Sequence, residues 1–178
     1  MKIYVQEDSK NRNCFMISFD GNKYPCQIGK NGLISKNYKT EGDLCTPIGE
    51  FPLRQVFYNP SRIKKPTTLC PLLALQPFYV WCDDKTSLYY NQLIDIRKFP
   101  HFQYSHEHLW REDNAYDLGI VIGYNDDPPI SNKGSAIFIH LSHADYRPTA
   151  GCIALEYSHL IKLIEVLDSK NSVHIQGV

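Results

Sequence analysis

Apolar positions fall mostly in short runs cut by turn-forming residues, a pattern that predicts a chain built mainly of strands. Residues 14–19 are largely apolar, Asp20-Gly21-Asn22 supplies a turn, and residues 24–28 resume the run, which together read as a β-hairpin. Residues 29–32 mark another turn. Residues 49–58 alternate in part, and Pro52, having no N–H to give a ladder, marks an edge strand or a bulge. Residues 59–72 hold Pro60, Pro66 and Pro71 among hydroxyl and basic side chains and read as a loop. Residues 118–124 and 135–141 are short, β-branched and bounded by turn-formers; they flank a turn at residues 125–129. One helix is predicted over residues 158–167, where positions 160, 161, 163, 164 and 167 form a 3.6-residue stripe behind Ser158 as N-cap. A second helical stretch is read at residues 105–113. With no repeat and no linker, residues 1–178 form one domain, mainly β with one strong helix.

Composition agrees with strands: aromatics reach 12%, and 11 prolines and 10 glycines turn the chain. Apolar residues make up 43%, enough for a core in a chain of this length. Nineteen basic residues balance 19 acidic ones, which argues against a protein that grips phosphate backbones, since that binding runs on surplus positive charge. Nucleic acid is therefore not an expected partner. The most apolar stretch, residues 69–82, is interrupted by Pro71, Gln76 and Pro77 and falls short of the ~20 residues that a bilayer requires, so no membrane partner is expected. The first residues carry a short apolar stretch followed at once by charges, which does not read as a secretory signal. The six cysteines are accordingly expected as reduced thiols, and the protein is expected in the cytoplasm.

The chain has neither the Walker A pattern nor G-x-G-x-x-G. His101, His106 and His108 invite a zinc reading, but His106-Glu107-His108 does not place two histidines one helical turn apart, and no C-x-x-C pair exists. They read as solvated histidines, with no metal and no cofactor expected. Cys152 is different. It precedes the predicted helix, whose amides favour a thiolate. Gly151 permits an unusual turn and close approach of a substrate, with the amides of Gly151 and Cys152 free to face an oxyanion. His140 ends an apolar strand 12 positions upstream, where a returning loop sets imidazole beside thiol. The same residues also read as an inert buried thiol and a hydrogen-bonded core histidine, and spacing alone leaves both open.

A histidine at a strand end, then Thr149-Ala150-Gly151-Cys152, then a helix, resembles the active-site signature of the L,D-transpeptidase (YkuD-type) catalytic domain family. Thr46-Pro47-Ile48-Gly49-Glu50-Phe51-Pro52 is similar to that family's TP-x-G-x-F strand. Leu109-Trp110-Arg111-Glu112-Asp113, Gly123-Tyr124-Asn125-Asp126 and Lys133-Gly134-Ser135-Ala136-Ile137-Phe138 resemble a compact branch of it. The resemblance implies a β-sandwich-like fold and a cysteine enzyme acting on peptidoglycan stem peptides or soluble muropeptides, at the bond before a terminal D-alanine. It implies Cys152 as nucleophile, His140 as base, the Gly151 and Cys152 amides as oxyanion hole, and the Leu141 carbonyl as the group orienting the histidine. Arg147 is the candidate partner of the substrate carboxylate, with Tyr146, Thr149 and Tyr124 as further substrate contacts and His143 as a lesser candidate base. The chain departs from the family signature at Ala150, where histidine is common, and at Ala154, where a polar residue is common.

Three functions follow as expectations: an L,D-carboxypeptidase in which water resolves the acyl-enzyme, an L,D-transpeptidase in which an amine does, and a stem-peptide binding module without turnover. Carboxypeptidase is the first expectation, because a cytoplasmic enzyme meets soluble fragments and water. A papain-like protease is a poor fit, since there the cysteine precedes its histidine.

Overall fold

The computed structural model describes residues 1–9, 11, 14–99, 101–168 and 170–177. Its strands are β1 (Lys2–Glu7), β2 (Phe15–Phe19), β3 (Asn22–Cys26), β4 (Leu33–Ser35), β5 (Thr46–Tyr58), β6 (Leu72–Ala74), β7 (Tyr79–Cys82), β8 (Leu93–Asp95), β9 (His106–His108), β10 (Leu118–Ile122), β11 (Phe138–Leu141), β12 (Ile153–Leu155) and β13 (Ser172–Ile175). The helix α1 (Tyr157–Val166) follows β12. The fold is mainly β with a single α-helix among the described residues.

Ten strands form one sheet in the order β12-β11-β10-β5-β13-β1-β2-β3, with β4 and β6 also pairing β5. β5 is the hinge of the architecture. Its residues 49–52 pair with β13 and its residues 53–58 with β10, so one strand passes from one leaf to the other. The change occurs at a bulge: Val121 faces Gln55 but Ile122 faces Leu53, leaving Arg54 as the extra residue. Pro52 sits at the end of the β13 ladder, next to that bulge. The sequence reading offered an edge or a bulge, and the bulge is what lets a central strand tolerate the proline. Gln27, just after β3, exchanges two backbone hydrogen bonds with Ala154 of β12, so the two ends of the sheet meet.

Strand periodicity then decides which side chains meet. Ile120 and Ile122 of β10, Ile139 of β11 and Ile153 and Leu155 of β12 face a core shared with Ile3, Val5, Ile17 and Val173 from the other leaf. Each such buried side chain contributes about 1.5–3 kcal/mol. The opposite face of β10 and β11 carries Val121 and Phe138 into a second cluster, roofed by the three-stranded sheet β8-β7-β9. Cys152 belongs to this second cluster.

The helix starts one residue earlier than the pattern predicts, and its cap differs. Glu156 occupies the N-cap with no side-chain bond to the helix amides, and Ser158 Oγ turns back to Glu156 Oε1. With ten residues and no cap, α1 depends on the burial of Leu160, Leu163 and Ile164. The helical stretch read at residues 105–113 is instead β9 and a loop, because His106–His108 pairs antiparallel with β7. The hairpin at Asp20-Gly21 is confirmed: both residues have positive φ, 48° and 73°, as a two-residue type I′ turn requires.

Candidate active site

β11 and β12 run parallel, with Ile139 opposite Ile153 and His140 opposite Ala154. Parallel neighbours require the connecting chain to return to the start of the first strand. That return carries Cys152 back to the foot of β11. There the Phe138 amide lies 3.4 Å from Cys152 Sγ, and the thiol donates to the Ala136 carbonyl across 3.1 Å. Continuing the register by one residue puts Cys152 opposite Phe138, so Cys152 and His140 lie on the same face of adjacent strands, diagonal to each other. Both open into one cavity of about 430 Å³.

His140 is 5% exposed, and its Nδ1 lies 2.9 Å from the Leu141 carbonyl. A carbonyl only accepts, so Nδ1 carries the proton and Nε2 is left as the basic nitrogen. This is the orienting contact expected for Leu141. Burial lowers the His140 pKa to about 4 and, with the nearby Glu107 carboxylate adding to it, raises that of Cys152 to about 12. The resting pair is therefore neutral imidazole and neutral thiol. The helix does not supply a thiolate: β12 separates Cys152 from α1, and helix-terminal effects fade within a turn.

Gly151 has φ 144°, and a Cβ there would stand 2.9 Å from the Cys45 carbonyl oxygen. The turn is tied down by two threonines. Thr46 Oγ1 donates to the Gly151 carbonyl and accepts from the Gly29 amide, each at 2.8 Å. Thr149 Oγ1 accepts from the Gly151 amide at 3.1 Å and donates to the Cys152 carbonyl at 2.6 Å. Thr149 thus lines the cavity, but its hydroxyl is spent on the loop. The Gly151 amide is likewise engaged by Thr149, which leaves the Cys152 amide as the candidate oxyanion donor of the two.

Several expected substrate contacts lie elsewhere. Tyr124 is buried in the main core, edge-on to Phe51, with its hydroxyl on the Lys133 carbonyl; it does not line the cavity. Tyr146 and Arg147 are each 56% exposed, counting side chains for the arginine, and neither lines the cavity. Arg147 points along its own loop to His143 and Asp145. His143 reaches the cavity rim, paired with Arg147. Ala154 is buried opposite His140 in the β11–β12 ladder, on the same face as His140 and Cys152, and does not line the cavity.

The cavity is also lined by groups that the sequence did not assign to the site. Arg111 pairs with Glu107 and Asp113 at 3.1 and 2.6 Å and lies over the Tyr116 ring. That pairing holds Asp113 down at about 2, and it holds the Arg111 guanidinium well above its ordinary value. Lys39, 2% exposed, pairs with Asp43 at 2.6 Å, and Asp83 and Glu41 add two carboxylates. Tyr116 sits edge-on to His140 and donates to Glu107 Oε1 across 2.8 Å. No local motif links Lys39, Glu107 and Tyr116 to Cys152, since tertiary pairing alone gathers them.

Of the three histidines weighed for zinc, His106 bonds the Tyr104 carbonyl through Nδ1 and stacks edge-on against His108. Among the described residues no group of His, Cys, Asp and Glu is arranged to hold a metal ion, and no helix is long and apolar enough to cross a membrane.

The family model described as the L,D-transpeptidase catalytic domain matches residues 8–175. A comparison with curated proteins finds no match. Among solved structures, the chain is similar to an L,D-transpeptidase from Mycobacterium smegmatis, with 13% identity and a TM-score of 0.42, covering 98% of this chain and 58% of that one. It is also similar to Mycobacterium tuberculosis L,D-transpeptidase 1, with 12% identity and a TM-score of 0.39, covering 98% of this chain and 61% of that one. The chain thus spans less than two thirds of either.

Proposed function

Because the chain belongs to the L,D-transpeptidase catalytic domain family, we propose that it cleaves peptidoglycan stem peptides through an acyl-enzyme on Cys152 and releases the acyl group to water, as an L,D-carboxypeptidase. The observation that carries this reading is the shared face of Cys152 and His140 over one cavity, with the His140 tautomer fixed by Leu141.

With both groups neutral at rest, proton transfer accompanies attack. Cys152 Sγ adds to the carbonyl of the third stem residue as its proton passes to His140 Nε2. The Cys152 amide holds the developing oxyanion, and the Leu141 carbonyl steadies the imidazolium at Nδ1. The imidazolium then protonates the departing amine of D-alanine, leaving a thioester. Water, deprotonated by His140 Nε2, attacks the thioester and frees the tripeptide carboxylate and the thiol.

Transfer needs a second peptide bound with its amine beside the thioester. A cavity of about 430 Å³ is at the small end of the ligand-site range and suits the end of one stem with water as the resolving group. The test is product analysis of a soluble disaccharide-tetrapeptide with and without excess D-methionine. Tripeptide plus D-alanine in both reactions supports hydrolysis; a D-methionine exchange product with little tripeptide in its absence supports the transpeptidase instead.

A further inference from the structure

Two ionisable groups near Cys152 have no part in the acylation just described: Tyr116 and Glu107. The Tyr116 ring is fixed edge-on between Phe57, Phe138 and His140, and its hydroxyl donates to Glu107 Oε1 at 2.8 Å. Tyr116 and Cys152 also share one buried cluster and line one cavity, where the phenol is a donor that favours the Cys152 thiolate. A phenol has one proton. In the resting structure it goes to Glu107, while the thiol proton goes to the Ala136 carbonyl. When the sulfur loses its proton, thiolate and carboxylate compete for that single phenol hydrogen.

Building on the acyl-enzyme reading above, we propose that Glu107 is a positioning residue that acts on Cys152 through Tyr116: protonated, Glu107 donates to the phenol oxygen and releases the phenol hydrogen to the sulfur, and ionised, it withholds it. No net proton is consumed, because the thiol proton still passes to His140 and Glu107 only redirects a hydrogen bond. Every group needed is in place. Arg111 Nη1 is 3.1 Å from Glu107 Oε1 and stabilises the ionised form, while Asp83 and Asp113 oppose it. Burial outweighs the arginine and raises the Glu107 pKa. Lys39 is the cation that acts on Cys152, and it favours the thiolate.

The test reads the thiol directly and requires no substrate, so it stands apart from the choice of reaction. Alkylation of Cys152 by iodoacetamide is followed by peptide mapping across pH in the wild type, Glu107→Gln, Tyr116→Phe and the double variant. A glutamine amide donates to the phenol oxygen as the protonated acid does. Glu107→Gln should therefore alkylate about tenfold faster at neutral pH, the worth of one hydrogen bond to a charged group, and lose the fall in relative rate that ionisation of Glu107 imposes. Tyr116→Phe removes one oxygen and keeps the ring packing; it should abolish the gain from Glu107→Gln. An equal gain from Glu107→Gln in both backgrounds would mean that only charge was removed, and no gain in either would mean that Glu107 does not act on the sulfur. Both results overturn the relay, and each variant's thermal midpoint confirms that the protein measured is folded.

Discussion

Thr46 Oγ1 donates a hydrogen bond to the Gly151 carbonyl at 2.8 Å, joining the start of β5 to the turn before Cys152 across 105 residues of chain. The same hydroxyl accepts from the Gly29 amide, so one buried oxygen fixes three crossing segments. The threonine of the Thr46-Pro47 motif is thus a buttress for the turn before Cys152.

Thr46→Val keeps the shape and removes both bonds, leaving a buried N–H and a buried carbonyl without partners. The expected cost is about 2–3 kcal/mol in chemical denaturation. Turnover should fall further, by about tenfold, because the turn that sets Cys152 loosens. A stable variant with full activity would show that the turn is held by other contacts.

His140 makes stability depend on acid. Its folded pKa of about 4 lies below the ordinary 6.5, so between those values the unfolded chain binds the proton more readily. Stability should fall as pH drops through that window, by on the order of 3 kcal/mol, and this contribution should level off below it. His140→Gln should lack that part of the slope. Thermal midpoints of both proteins from pH 7 to pH 4 check it, and parallel curves would contradict the assignment.

The arginine facing the substrate is also open to measurement. Arg147 lies outside the cavity and Arg111 lines it. Arg147→Ala should change kcat/KM less than about threefold, as expected for an exposed pair with a distant carboxylate. Arg111→Ala releases Glu107, Asp113 and the Tyr116 face together and should cost at least about a hundredfold. The reverse order would restore the expectation read from sequence.

Burial also reorders the cysteines. Cys14 is exposed, whereas Cys152 is 7% exposed and its thiol is pushed up to about 12. A limiting amount of iodoacetamide at neutral pH should label Cys14 first. Mapping that finds Cys152 labelled first would mean that the resting thiol is ionised.

What the sequence disclosed follows from where its signals are local. The stripe at Leu160, Leu163 and Ile164 placed the helix within a residue, and Asp20-Gly21 specified a turn that few other dipeptides accept. The nearness of His140, Gly151 and Cys152 was legible because strand alternation and a tight turn within a short span bring them to one cavity. β6, β8 and β9 have three residues each, too few to show a period, and β9 lies in a stretch of charges and histidines that equally suggested a helix. The substrate contacts misled for a related reason. Arg147 is near Cys152 in sequence but belongs to a loop facing solvent, while Glu107, Arg111 and Tyr116 arrive through the packing of β9 and its following loop against β10 and β11.

The central claim is that Cys152 carries the acyl group. Mix the protein with a soluble tetrapeptide, quench in acid within the first turnovers, and measure the intact mass. The account predicts an adduct of the tetrapeptide less its terminal alanine, mapped to Cys152, labile to hydroxylamine as a thioester is, and missing from Cys152→Ala. An adduct on another residue, or tripeptide released by Cys152→Ala at the wild-type rate, would contradict it.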